Sequence, residues 1–250
     1  MYHSISETAG ATSIAPAVFR AQMEALAESG CAVVPLGAVA DALDGGDPLP
    51  DRAVAITFDD GYLDFAEHAA PVLRELGFTA TVFLPAARIG GHEDWTGGLR
   101  SAPRDLMSWD HVRGLAAEGF TFGGHSLSHP DLTTLDAEAL EREVAESAAR
   151  IEEEVGAAPD LFAPPYGATN GRVRAAVARH YRLAVGVRLD RMTMRDDRYD
   201  LPRIEMYYFR DATRWRRHLA GRGDGYLAAR KRLRGVRTAV LGAAARLRRR

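Results

Sequence analysis

The stretch Ala53-Val-Ala-Ile-Thr-Phe-Asp-Asp-Gly61 constrains this chain more than any other, because an apolar run stops abruptly at two adjacent carboxylates and a glycine. A short run without polar alternation, bounded by turn residues, reads as a strand buried on both faces, the kind that occurs in parallel sheets covered by helices. A second run of this type, Phe120-Thr-Phe-Gly-Gly-His-Ser-Leu-Ser-His129, ends in two histidines four residues apart. One carboxylate and two imidazoles are a usual ligand set for a catalytic zinc or a similar divalent ion, with coordination positions left for water and substrate.

Apolar strand-like runs alternate with helical patterns along most of the chain, the signature of parallel β/α units. Strands are expected near 31–35, 53–58, 79–84, 120–124, 160–163, 182–187 and 201–208. Helix boundaries are marked by Pro16 and Gly30, by Ser108 before Trp109 with Gly119 beyond, and by Asn170 ahead of Val173. The longest helix, about 136–155, sets Leu140, Val144, Ile151 and Val155 on one stripe and is expected to coat a sheet. Residues 86–107 are too long and glycine-rich for a routine connection, and such segments are often binding loops. Within them Trp95 offers either a stacking face for a sugar or an anchor for its own loop.

With 250 residues and 46% hydrophobic content, the chain can bury a full α/β barrel core. The division expected is a barrel over 1–210 and a basic helical extension over 211–250. Residues 210–250 hold fourteen Lys and Arg against two acids, a local +12; the rest hold eighteen bases and thirty-two acids, −14. An acidic body argues against nucleic-acid binding. From Tyr226 onward, Ala229, Leu233, Val236, Val240 and Leu247 fall on one helical stripe among arginines. This reads as a basic amphipathic helix that meets either an anionic membrane face, as a peripheral contact, or the acidic body itself, with disorder after Gly242 as the further alternative. The opening Met1-Tyr-His-Ser lacks a secretory pattern and no run reaches membrane-spanning length, so the expectation is a cytoplasmic protein. The lone Cys31 excludes a disulfide within the chain.

All three candidate segments, Asp59-Asp60, His125 to His129 and Pro164-Pro165-Tyr166-Gly167, follow expected strands, so in a parallel barrel they open onto one face, where barrel enzymes keep their active sites. The set TFDDG, HSLSH and PPYG, in that order, resembles the motifs of the polysaccharide deacetylases, the NodB-type fourth carbohydrate esterase family. The similarity runs from Tyr2-His-Ser-Ile5 to Leu201-Pro-Arg-Ile204. The resemblance implies a distorted (β/α)7 TIM-like barrel with Asp59 as catalytic base and Asp60, His125 and His129 as ligands of a divalent metal. Zinc is the first choice, with cobalt, nickel or manganese as alternatives. It also implies the Tyr166 backbone N–H as an oxyanion donor, and an acetylated glycan or glycoconjugate as substrate. The reaction expected is removal of N-acetyl groups, and an O-acetyl esterase would use the same residues.

Two family features are missing. The third motif usually opens with an arginine that orients the aspartate, and here Ala163 stands there; Arg203, on the last expected strand, is the candidate replacement. The late Leu-x-His that supplies a general acid is not evident, and His3 is the candidate in its place. Their absence keeps open a glycan-binding homologue without catalysis. Gly124-His-Ser-Leu-Ser128 nearly spells a nucleophile elbow, so a serine hydrolase using Ser126 is a further alternative.

Overall fold

The computed structural model describes residues 1–8, 10–95 and 103–247, the last of these from 236 onward by backbone alone. In chain order the helices and strands are α1 (Pro16–Ala27), β1 (Ala32–Val33), α2 (Leu36–Leu43), β2 (Ala53–Val54), β3 (Thr57–Phe58), a π-helical turn at Phe65–Ala69 and α3 (Ala70–Glu75). These are followed by β4 (Thr81–Leu84), α4 (Trp109–Ala117), β5 (Thr121–Gly124), α5 (Ala137–Val155), β6 (Leu161–Phe162), α6 (Gly171–Val177), β7 (Leu183–Ala184), α7 (Ala212–Leu219) and α8 (Asp224–Leu247). Strands β3 to β7 form one parallel sheet in sequence order.

Hydrogen bonds extend that sheet at both edges until it meets itself. Tyr2 N–H donates to Thr57 O (2.9 Å) and Asp59 N–H to Tyr2 O (3.0 Å). At the other edge Leu201 N–H donates to Ala184 O and Gly186 N–H to Leu201 O. The Met1 nitrogen donates to Ile204 O (2.8 Å), and Met206 N–H donates to Met1 O, which joins the last segment to the first. The result is a seven-membered TIM-like ring of short staves. The strand expected near 31–35 forms outside the ring, and the one expected near 201–208 is cut short. Residues 31–35 contribute no stave: β1 pairs only with β2, in a separate two-stranded sheet. Residues 1–4 take the place instead, since local apolarity does not say which segment reaches a given edge. Residues 201–208 make a single bridge, Leu201 to Val185, before the chain turns into a 3₁₀ turn at Met206–Phe209. Pro202 lacks the N–H that a longer ladder would need.

Alternation within the staves divides the core. Phe83, Leu161, Ala163, Leu183, Val185 and Leu201 point into the ring and pack with Leu36, Val39 and Ala40 of α2, which plugs one end. Their neighbours Val82, Leu84, Phe58 and Phe122 point outward beneath the helices. Gly123 occurs where the ring is tightest: a Cβ there would lie 2.5 Å from Leu161 O and 2.8 Å from the Phe83 ring. The helix ends follow the sequence signals. Ser108 Oγ accepts from His111 N–H in a capping box, Asn170 Oδ1 accepts from Arg172 and Val173 N–H, and Gly156 closes α5 at φ +81°.

The segment from 211 begins with a helix that packs on α1. Trp215 is buried and its Nε1 donates to Gln22 O (3.0 Å). The first turns of α8 rest on the body through buried Leu227, a Tyr226 hydroxyl bond to Tyr208 O (2.8 Å) and the pairs Arg191–Asp224 and Lys231–Asp190. Leu233, on the stripe read as apolar, is 61% exposed.

His218 lies buried between these helices, its ring 4.7 Å from Phe209 and 5.7 Å from Trp215, with Nδ1 lacking a partner. Burial, reinforced by Arg191 and opposed by Asp224, lowers its pKa below 6.5. A histidine with a depressed folded pKa gives its full stability above the unfolded value and loses it as the pH falls below that value, because the unfolded chain then binds the extra proton. Thermal melts from pH 7.5 to 5 should therefore fall more steeply for the natural chain than for His218→Gln. Parallel curves would show that His218 does not carry this dependence.

Candidate metal centre

Each functional side chain leaves the C-terminal end of a stave in a sharp turn. Asp60 after β3 has φ +75°, Ser126 and His129 after β5 have +63° and +69°, and Tyr166 after β6 has +60°. Among the described residues only Arg52 is also a non-glycine with positive φ. Such conformations cost about 1–2 kcal/mol each and persist where surrounding structure holds them. Their gathering on one rim is a physical mark of a functional site.

These turns bring Asp60, His125 and His129 together, all buried, with ligand atoms within 4.8 Å of one another. Asp60 Oδ1 lies 3.2 Å from Nε2 of each histidine. The two imidazoles do not converge through helical i, i+4 spacing, because no helix follows Gly124; the left-handed turns at Ser126 and His129 do it. Ser126 Oγ accepts the His129 N–H (2.9 Å). His125 Nδ1 lies 2.6 Å from Ala163 O, a bond that requires the proton on Nδ1. Nε2 is thereby left facing a carboxylate oxygen: burial lowers the His125 pKa and Asp60 outweighs it, so a proton suits that position in the metal-free chain and a cation would suit it when the ring is neutral. The donor set and this tautomer fit a divalent ion. Burial raises and the two imidazoles lower the Asp60 carboxyl, which ends well below the usual range.

Asp59 points away from this cluster toward Arg203. The guanidinium holds both carboxylate oxygens, Nη1 to Oδ1 at 2.6 Å and Nη2 to Oδ2 at 2.7 Å, and also donates to Thr57 Oγ1 and Gly186 O. Both residues are buried. Burial alone would push the Asp59 pKa up; Arg203, helped by His3 and His125, outweighs it and keeps the carboxyl below its ordinary value. His3 sits beside the pair, with Nε2 3.9 Å from Asp59 Oδ2 and a buried Nδ1 that has no partner. Ala163, in the position where the resemblance leads one to expect arginine, contributes its carbonyl to His125 instead.

Tyr166 is 55% exposed and its ring meets His129 edge-on at 4.8 Å. Trp95 stacks on the other side of the same imidazole, with centroids 4.1 Å apart. Part of the glycine-rich segment, 96–102, lies outside the described residues. Ser126 has no exposure at all and its Oγ is engaged, so the serine-nucleophile reading finds no accessible hydroxyl. A cavity of about 1050 Å³, bordered by Leu26, Leu36, Val39, Met192 and Arg203, is lined by none of Asp60, His125 and His129.

Two acids belong to the site's support although their sequence context points elsewhere. Asp64, which reads as a first-turn helix acid, accepts from Ile5 N–H (2.9 Å) and Ser4 Oγ (2.5 Å) and so fixes the segment that carries His3. Glu143, amid the charged Glu141, Arg142 and Glu146 of α5, is buried and reaches Leu127 and Ser128. Burial of a single acid within a polar helical run has no local signal.

A polysaccharide deacetylase family model matches residues 46–184. The chain belongs to the polysaccharide deacetylase family. It is similar to a chitooligosaccharide deacetylase of Rhizobium leguminosarum bv. trifolii, 36% identical over 135 residues, which are 49% of this chain and 50% of that protein. A chitin deacetylase of Pestalotiopsis sp is 31% identical over 116 residues, covering 46% of this chain and 35% of that protein. The chain thus spans half or less of the length of these curated relatives. The solved Streptococcus pyogenes deacetylase PplD, in complex with acetate, shares the fold with a TM-score of 0.72 at 21% identity, over 82% of this chain and 89% of that one.

Because Asp59 is buried, removing its partner leaves a carboxylate with neither water nor a counter-charge, at a cost of about 3–5 kcal/mol. Arg203→Ala should lower the urea unfolding midpoint accordingly, and Arg203→Ala combined with Asp59→Asn should recover part of the loss. An Arg203→Ala chain as stable as the natural one would mean the pair does not hold the ring together.

Proposed function

We propose that this protein is a divalent-metal-dependent hydrolase that removes acetyl groups from the nitrogen of an amino-sugar polymer or glycoconjugate. The observation that carries the reading is the buried Asp60–His125–His129 cluster lying beside an Asp59 carboxylate held ionised by Arg203. Family membership and the names of the deacetylases it is similar to support the substrate class.

Asp60, His125 and His129 would hold the ion. When bound there, a divalent ion, zinc by preference for this donor set, polarises the acetamide carbonyl and acidifies a water. Asp59 has a different task from Asp60 because its partner differs: with both oxygens fixed by Arg203, it is kept in the ionised form a base requires. It takes a proton from the attacking water. The Tyr166 backbone, placed at the rim by a left-handed turn, offers an N–H for the carbonyl oxygen as charge gathers on it. His3, whose Nε2 lies 3.9 Å from Asp59 Oδ2, is the group assigned to return a proton to the departing amine, so that acetate and a free amine leave. Trp95 and Tyr166 flank His129 and present apolar faces for a sugar ring.

Elemental analysis of purified protein should find about one equivalent of metal, absent from a His125→Ala, His129→Ala double variant. Asp59→Asn should keep the metal yet release acetate from acetylated chitooligosaccharide at least about a hundredfold more slowly, the scale of a lost general base. His3→Ala should lower kcat by about tenfold or more and leave metal content unchanged. Metal-loaded protein that releases acetate only from O-acetylated sugars would replace the amide substrate by an ester. Binding of glycan without release from either would make it a lectin-like homologue.

A further inference from the structure

The two histidines of the cluster are oriented differently. His125 has its second ring nitrogen tied to Ala163 O at 2.6 Å, the usual way a ligand imidazole is aimed. His129 has none: its Nδ1 is buried without a partner. No hydrogen bond aims the ring, so its direction is set by the Trp95 and Tyr166 rings packed on it and by the backbone turn that carries it, and that turn holds two residues, Ser126 and His129, in the left-handed region. Something must hold the turn against its own strain.

Glu143 does so from α5. Its Oε2 accepts the N–H groups of Leu127 (3.0 Å) and Ser128 (2.8 Å), and its Oε1 accepts the Ser128 hydroxyl (2.5 Å). The acid is 6% exposed, on a helix face it shares with buried Leu140, Val144, Ser147 and Ile151. A carboxylate buried there, with all three of its bonds going to the two residues between Ser126 and His129, is a clamp on that turn. Charge-assisted bonds to two consecutive N–H groups are among the stronger ones available to a backbone.

We propose that Glu143 is a positioning residue for His129, acting through the turn in place of the missing bond to the imidazole, and that it sets the affinity of the site for its metal. The inference rests on the reading of Asp60, His125 and His129 as metal ligands. Glu143 touches neither substrate nor ion. When the clamp is released, the turn relaxes toward ordinary backbone angles and the imidazole moves off its aim, while Asp60 and His125 stay where they are.

The test is the zinc dissociation constant, measured by chelator competition, for the natural chain, Glu143→Ala, Glu143→Gln and His129→Ala. It is paired with the visible absorption of the cobalt-loaded proteins, which reports ligand geometry, and with melting of the metal-free chains. Glu143→Ala is expected to bind zinc about tenfold or more weakly, the scale on which outer-shell substitutions act, with an altered cobalt band. Glu143→Gln keeps one acceptor oxygen but loses the charge, and an effect of about threefold in the same direction is expected. It serves as the readout if the alanine chain does not fold. A purely structural acid would lower the metal-free melting temperature and leave affinity and band unchanged; that outcome overturns the proposal. Zinc binding lost in His129→Ala but natural in both Glu143 variants would overturn it alone. A natural chain that binds no zinc would overturn the metal-site reading and this inference together.

Discussion

The bidentate pair between Arg203 and Asp59 is the interaction on which the rest depends. Its guanidinium comes from the final segment of the ring, its carboxylate from the end of β3, and its other bonds go to Thr57 Oγ1 and to Gly186 O beyond β7. One side chain thus ties together three parts of a ring whose named strands are two to four residues long and whose closing edge has few backbone bonds. The same contact decides the electrostatics. Without it, burial would favour the neutral acid at Asp59; with it, two neighbouring aspartates can be ionised at once, each against its own cationic or imidazole partner. Closure of the ring and the charge state of Asp59 rest on a single ion pair.

Above that pair, the rim is built from backbone that ordinary residues avoid. Asp60, Ser126, His129 and Tyr166 all lie in the left-handed region, and each is restrained by neighbours. Ser126 and Glu143 hold the His129 turn, Pro164 and Pro165 limit the approach to Tyr166, and Arg203 holds the residue before Asp60. The strain has a geometric use. Short turns with reversed φ let side chains from the ends of β3 and β5 point at one another instead of outward, so Asp60, His125 and His129 meet within hydrogen-bonding range. The supports lie in the sheet and on α5, which are rigid elements, and this suits a site whose ligands must be placed in advance.

The elements with local physical signatures were legible. Buried parallel strands show as apolar runs, α5 shows through its stripe, and the acid and histidine ends of the runs mark the rim. Arg203 could be named as a partner for Asp59 because a cation amid Leu, Pro, Ile and Met must find a counter-charge. Other features had no local signal. The stave at residues 1–4 and the exclusion of 31–35 are decided by which segment reaches an edge, a long-range matter. Asp64 and Glu143 look like surface acids on helices, and their burial depends on what packs over them.

Residue types and order alone determined that this chain carries alternating strands and helices, that its charged and imidazole groups stand at strand ends, and that one carboxylate and two histidines are available to a metal. These follow from periodicity and from the cost of placing charge beside apolar runs, both readable within a few residues. Tertiary structure alone decided how the ring closes and which acids are buried as supports. Those outcomes come from contacts between separate elements, from Glu143 with Ser128 and Asp64 with Ile5 to Arg203 with Asp59 and Met1 with Ile204, whose free energy exists only once those elements have packed.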